Sequence, residues 1–404
     1  MGKKRIAVIG LGGRIARVLI AMKEVGWDFE VVGYADPSPG GVAVLSPEGI
    51  ATGTQFASLD ALFAAGPYDL VMIGSPNHMH LDHLKAALAA GYPIFCEKPV
   101  VRTEAESLEL ADMLSDPGPF PPLYVGLVLR SMPLVREVIR HVEEGLLGDL
   151  ISIDATELLV PEHGAYLARN WRRRAEWGGS FLLDKACHDF DVFNWAIKAR
   201  AIKVVSMGGR GIFRSERGQK HRQYEDGRPA YAVAPGGWAA ADDAFTSDMD
   251  VPDHQIAMVE YENGVRLTFH SNSHSAIPER RWVFMGTEGA LIANLSRNKL
   301  SFQGALVMTE DGGWTTREPV EIDFGGTEHL SHNGADYAMA RDLLASLDCG
   351  APYPVTVWDG IEAGLIVMAI DKSLADGEII DCHPMWNKLD AARAGALALG
   401  EPAR

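Results

Sequence analysis

Asp184, His188, Asp191 and Trp195 recur at i, i+4, i+7 and i+11. On a helix that spacing aligns all four along one face. Ala186, Phe190, Phe193 and Ile197 form an apolar stripe on another side of the same segment. Gly178 and Gly179 precede it, and Ser180 is suited to cap the free N–H groups of a first turn, so a helix is expected over 180–197. A carboxylate and an imidazole one turn apart on a rigid helix suit proton transfer to and from a bound molecule. The plainer alternative is a core-facing helix with a few satisfied polar groups.

A second constellation lies near the N-terminus. Residues 5–10 (RIAVIG) read as a buried parallel strand running into Gly10-Leu11-Gly12-Gly13-Arg14-Ile15, and 16–25 has helical periodicity. Strand, glycine turn and helix form the setting of a dinucleotide fingerprint, in which a pyrophosphate approaches the bare backbone at a helix N-terminus. Ile15 holds the place of the third glycine, so helix–strand packing there must differ from the usual. A strand over 29–35 ends at Asp36, whose carboxylate suits the ribose hydroxyls of NAD and repels the 2′-phosphate of NADP. An aspartate simply opening a turn is the other reading. A strand over 70–74 runs into Ser75-Pro76-Asn77-His78-Met79-His80 and a helix to about 90. A short strand over 92–96 ends in Glu97-Lys98-Pro99. Strands alternating with helices, with polar residues gathered at strand ends, describe a doubly wound α/β sheet. His78, His80 and His83 lie close together, but no thiolate or suitable carboxylate stands at ligand spacing, so no metal is expected.

In this order and at these intervals, GLGGR, YADP, SPNHMH and EKP resemble the Gfo/Idh/MocA oxidoreductases, the family of glucose–fructose oxidoreductase and inositol dehydrogenase. Asp184, His188, Asp191 and Trp195 are similar to that family's second signature, so the resemblance spans about 5–375. It implies an N-terminal Rossmann domain over 1–130 and an α+β domain over 131–385, whose large, mostly antiparallel, open-faced sheet forms homodimers or homotetramers. It implies NAD held by Gly10, Gly12, Gly13, Arg14, Ile15, Asp36, Ser75, Pro76, Asn77, His80, Glu97, Lys98 and Arg130. It places Lys98 beside the nicotinamide and the substrate hydroxyl, often with a cis bond before the following proline. Lys185 stands where a small residue is more usual in the family and adds a cation near the substrate.

A strand over 123–129 closes the first domain at Arg130, and a helix follows over 133–144. Strands are expected over 150–159, 201–208, 255–261, 265–272, 281–286, 289–294, 300–303 and 304–309, with Asn263-Gly264 as a hairpin turn. His163, Trp171 and the adjacent Arg172 offer an aromatic and a guanidinium to a sugar ring, or form a solvated basic patch. Residues 210–253 read as a long excursion, a lid or an oligomer arm. A glycine-flanked loop over 325–334 precedes a helix at 335–347; the resemblance makes His332 a substrate contact, and His329 reads as surface. A helix over 357–372 is expected to pack back on the first domain, and 386–404 is an Ala-rich tail without an assigned role.

The 404 residues carry a formal net charge of −17, which disfavours nucleic-acid or anionic-membrane partners. No apolar run is long enough for a membrane span, the N-terminus lacks a signal-peptide pattern, and four scattered cysteines suit a reducing cytoplasm. The glycine turn, Asp36, the Asp184/His188/Lys98 cluster and the family resemblance together imply an NAD-dependent enzyme moving a hydride between the nicotinamide and a secondary hydroxyl of a small carbohydrate: a sugar, glycoside or inositol. His188 is the expected acid/base, Lys98 the cation at the same hydroxyl, and Asp184 the group that orients His188 or binds a neighbouring hydroxyl. The alternatives are a redox glycosidase with tightly bound NAD and a non-catalytic NAD-binding regulator. The enzyme reading requires Lys98 and His188 to meet in one cleft.

Overall fold

The computed structural model describes residues 2–115, 120–218, 231, 238–315, 318–326 and 331–397. Its first sheet is built on β1 (Lys4–Ile9), whose last four residues are all buried, as in a parallel strand covered on both faces. With β2 (Phe29–Ala35), β3 (Thr54–Gln55), β4 (Leu70–Ile73), β5 (Ile94–Cys96) and β6 (Leu123–Val125) it forms an all-parallel sheet of order β3-β2-β1-β4-β5-β6. Helices α1 (Gly13–Glu24), α2 (Gly41–Leu45), α3 (Leu59–Ala64), α4 (His80–Ala89) and α5 (Glu104–Leu114) link the strands. The strand order reverses between β1 and β4, which opens a crevice above their carboxyl ends. β6 is shorter than the strand expected over 123–129. The chain leaves the sheet at Gly126, and Arg130 sits on a 3-10 turn, Val128–Ser131.

After α6 (Pro133–Glu143) a nine-stranded mixed sheet follows. Its strands in chain order are β7 (Leu150–Leu158), β8 (Ala201–Gly209), β9 (His254–Tyr261), β10 (Arg266–Asn272), β11 (Glu279–Gly286), β12 (Gly289–Asn294) and β13 (Lys299–Gly304). A two-strand hairpin, β14 (Val307–Met308) with β15 (Trp314–Thr315), stands apart, in place of one strand over 304–309. Last come β16 (Val320–Asp323) and β17 (Ile380–Asp381), and only β7 and β10 pair in parallel among the registered pairs. Between β7 and β8 lie α7 (Pro161–Arg169), α8 (Ala175–Gly178) and α9 (Phe181–Ile197). One sheet face is covered by α9: Phe190 stacks at 5.5 Å on Phe269 and Phe193 at 5.3 Å on Trp282. The other face leaves Ile151, Met207, Ile256, Met258, Met285 and Ile292 exposed.

Three helices end the chain: α10 (Ala335–Cys349), α11 (Val357–Asp376) and α12 (His383–Leu397). They return to the elements that precede residue 130. α10 packs on α1, where Trp27 Nε1 donates to the Ala340 carbonyl at 3.1 Å. α11 lies on α9 and β8 and also touches α5 and β6. Gly360 allows that approach, since a Cβ there would stand 2.6 Å from Val100 Cγ2. The expected tail is α12, packed on α5 with Trp386 and Leu389 buried. The apolar faces left on α1 and α5 are thus covered by the far end of the chain. Among the described residues no helix is long and apolar enough to cross a membrane.

Candidate active site

The glycine turn is shaped for a phosphate. Gly10 has φ +81°, and a Cβ there would lie 2.3 Å from the Ser75 nitrogen, so only glycine fits. Gly12 and Gly13 face open space. Gly12 caps α1 without a side-chain hydrogen bond, leaving the first-turn N–H groups to a ligand. Asp36 ends β2 beside this turn. Its carboxylate accepts from Ser38 N at 2.7 Å, and burial raises its pKa against the backbone bonds from Ser38 and Leu11. These features fit the pyrophosphate and ribose of a dinucleotide. Ile15 does not face that space: it is fully buried, and a Cβ on Gly74 would strike its Cγ1 at 2.1 Å. The missing third glycine is compensated on β4's end, so the Ile15 side chain packs inside and only its first-turn backbone N–H is left to a cofactor.

Several other expected cofactor residues are occupied structurally. Arg14 Nε donates to Glu97 Oε1 at 2.8 Å, and its Nη1 pairs with Asp336 Oδ1 at 2.7 Å. Ser75 Oγ lies 2.8 Å from His83 Nδ1, and Pro76 starts the following 3-10 turn. Asn77 Nδ2 donates to the Gly178 carbonyl at 2.8 Å. His80 is buried between the carbonyls of Pro99 and Ser75, at 2.8 and 2.9 Å, and so anchors two loops from beneath. Arg130 is taken by the second domain: its Nε and Nη2 donate to Asp191 at 2.8 and 2.6 Å, and Asp359 stands 3.1 Å from Nη2. It also lies 5.1 Å over the Trp195 ring. Asp191 and Trp195 therefore brace the two domains.

Lys98 and α9 meet. The Lys98–Pro99 peptide is cis, and the Lys98 ammonium donates to the backbone carbonyl of Asp184, one turn before His188. Its distance to the Asp184 carboxylate is 3.9 Å. Ser180 caps α9 by accepting from Leu183 N at 2.8 Å, which sets the helix start that aims these groups. His188 is buried, with Nδ1 free of hydrogen bonds among the described residues. Burial first, then the charges of Lys98, Arg280, His332 and Lys185, push its pKa well below the ordinary imidazole value, so the ring is neutral.

Asp184 does not orient His188. Its carboxylate accepts from Arg172 Nε at 2.7 Å. Against the upward push of burial, Arg172, then Lys98 and Lys185, hold it well below the carboxylate range. Arg172 is stacked 4.1 Å over Trp171, so this aromatic is covered by its own neighbour and the segment is no solvated patch. The pKa of His163 is pushed down to about 3, by Lys185's charge first and burial next. His332 has φ +48° and lies 2.9 Å from Asp336 Oδ2, which links it through Arg14 to Glu97. His329 lies outside the described residues.

Sequence reasoning missed Glu157, Asp189 and Arg280. Arg280 Nε donates to Asp189 Oδ1 at 2.9 Å, and Trp282 Nε1 donates to the same oxygen at 2.9 Å. Glu157 and Arg280 face each other in the β7–β11 register. Their signal was the strand phase: Glu157 shares its face with buried Ile153 and Ala155, and Arg280 with buried Trp282 and Phe284. Charges on the inward phase of two strands mark a polar site. The described part of 210–253 packs on its own chain. Phe213, Phe245, Met249 and Val251 share a small core with Leu167 and Phe181, and Trp238 meets Trp177 at 4.9 Å.

Comparison with known proteins places both halves of the chain in one family. Residues 4–118 match the model described as oxidoreductase family, NAD-binding Rossmann fold, and 139–381 match its C-terminal alpha/beta domain. Levoglucosan dehydrogenase of Pseudarthrobacter phenanthrenivorans is 26% identical over 77% of this chain and 79% of its own. Inositol 2-dehydrogenase of Corynebacterium glutamicum is 27% identical over 50% of this chain and 56% of its own. The solved levoglucosan dehydrogenase in complex with NADH and levoglucosan shares the fold, with a TM-score of 0.72 at 22% identity, covering 94% of this chain and 99% of that one.

Proposed function

The chain belongs to the Gfo/Idh/MocA oxidoreductase family, and we propose that it moves a hydride between NAD and a secondary hydroxyl of a sugar, glycoside or inositol. Its strongest support is that the ammonium of Lys98, from the edge of the cofactor sheet, bonds α9 one turn before the neutral imidazole of His188. The dehydrogenase names of the levoglucosan and inositol relatives point the same way.

The backbone at Gly10, Gly12 and Gly13 and the N-terminus of α1 would hold the pyrophosphate, and Asp36 the ribose hydroxyls, favouring NAD over NADP. Bound nicotinamide supplies the hydride acceptor. His188 takes the hydroxyl proton; its neutrality leaves it ready to do so. Lys98 places positive charge where alkoxide character develops. Asp184, ionised and tied to Arg172, fixes the position of that ammonium from the helix side. The exposed face of the second sheet would join copies into a homodimer or homotetramer.

NADH absorbance with a panel of sugars, inositols and glycosides, run in parallel with NADP, tests this. Turnover is expected with at least one compound and with NAD preferred. Lys98→Ala and His188→Ala should each lower kcat/KM by about 10²–10⁴-fold, the usual contribution of a positioned proton-transfer group. Unchanged rates in both variants would remove the assignment, and glycoside cleavage without NADH would replace it with a redox glycosidase.

A further inference from the structure

Lys185 stands inside the proposed site with one ion-pair partner, Glu157, which it shares with Arg280. Its side chain is only 16% exposed, and among the described residues it makes no hydrogen bond. The nearest carboxylate oxygen among them, Glu157 Oε1, is 3.6 Å away and lies 3.5 Å from Arg280 Nη1 as well. Glu157 Oε2 is buried with no hydrogen bond. The other two carboxylates are engaged elsewhere: Asp184 with Arg172 and Lys98, Asp189 with Arg280 and Trp282. The charges acting on Lys185 are those of Glu157 and Asp184 against those of Lys98 and Arg280, so with its own ammonium three cations meet two carboxylates. The flanking imidazoles of His163 and His188 bring no compensating negative charge. A half-satisfied buried ammonium is costly unless a ligand completes it.

Building on the hydride-transfer reading of this site, we propose that the substrate is an acidic sugar, and that Lys185 receives its carboxylate while Lys98 and His188 act on a hydroxyl. The excess of one positive charge matches a monoanion better than a phosphate dianion. Lys185 and His188 are at i and i+3 on α9, so their Cβ atoms are about 5–6 Å apart.

The groups facing Lys185 also set how this contact varies with pH. They are Glu157 on β7, Arg280 on β11, His163 on α7, Lys98 after β5, and Asp184 and His188 on α9. Burial first, with Lys98 and Arg280 adding to it against Glu157, lowers the lysine's pKa. The carboxylate contact is therefore present at lower pH and is lost as pH rises, before the pH at which an ordinary lysine titrates.

The test compares D-glucuronate and D-galacturonate with their uncharged uronamides, on the NAD-loaded wild type, Lys185→Met and Lys185→Gln. In the wild type, kcat/KM for a uronate should exceed that for its amide by about tenfold to a hundredfold, the range for a hydrogen bond to a charged group. In both variants the ratio should fall towards one through KM, and KM for the uronate alone should rise at alkaline pH. Equal kcat/KM for acid and amide in the wild type, or a preference surviving in both variants, overturns the proposal. Absence of turnover with every sugar would sink the hydride-transfer reading, and calorimetry of the same compounds would then decide separately. Uronate binding that weakens at least tenfold in the variants supports the carboxylate site; no binding, or equal binding of acid and amide, overturns it.

Discussion

At the scale of single residues, the surroundings of His188, the proposed base, favour its neutral form. Burial disfavours the imidazolium, and Lys98, Arg280, His332 and Lys185 add to that in turn. Its folded pKa lies below the usual 6.5, so the basic form persists as pH falls and is lost only well below that value. The acid limb of kcat/KM in the wild type is accordingly expected below pH 6.5. Lys98→Met removes the largest charge acting on the ring, so the residual activity should show its acid limb at higher pH than the wild type. A wild-type limb above pH 6.5, or one unmoved in Lys98→Met, would contradict this account. His188 itself was legible from helical spacing, but the groups that set its protonation were not. Lys98, Arg280 and His332 come from segments with no local relation to α9.

At the scale of elements, α9 joins three tasks through two of its faces. Phe190 and Phe193 pack on the sheet, Asp184 meets the cofactor-side loop, and Asp191 reaches across to Arg130. Its start is pinned by Ser180, which caps the first turn and bonds Asp371 of α11. The Arg130–Asp191 pair is the tightest of these links, with side chains 8% and 1% exposed. Removing one partner of such a pair leaves an uncompensated buried charge. Arg130→Met should therefore lower unfolding free energy by about 3–5 kcal/mol, measured by urea titration, since breaking a buried ion pair costs that much. A change below about 1 kcal/mol would show that water reaches the pair.

At the scale of the whole molecule, the second sheet has one face under α9 and another bearing Met207, Ile256 and Met258 at 77%, 52% and 56% exposure. Apolar surface of that extent marks an interaction face, and the proposed self-complementary pairing of copies would cover it. Light scattering coupled to size exclusion should give a dimer or tetramer. The double variant Met207→Glu and Ile256→Glu should shift it to monomer, because charge at an interface core is strongly disfavoured. A monomeric wild type at micromolar concentration would refute this use of the face. The C-terminal helices belong to this scale too. α10 and α12 return to α1 and α5, so the first domain is completed by residues more than two hundred positions away.

Local order in the chain determined the parallel strands, the glycine turn, the face of α9 and the placing of Lys98 after β5, since each depends on periodicity or on a turn's steric demand. Tertiary structure alone decided the partners. Asp184 went to Arg172, Asp191 to Arg130 and Glu157 towards Arg280, and Ile15 was accommodated by Gly74. Residue spacing specifies which way a side chain points from its own element, whereas charge pairing and close packing depend on which elements are brought opposite it.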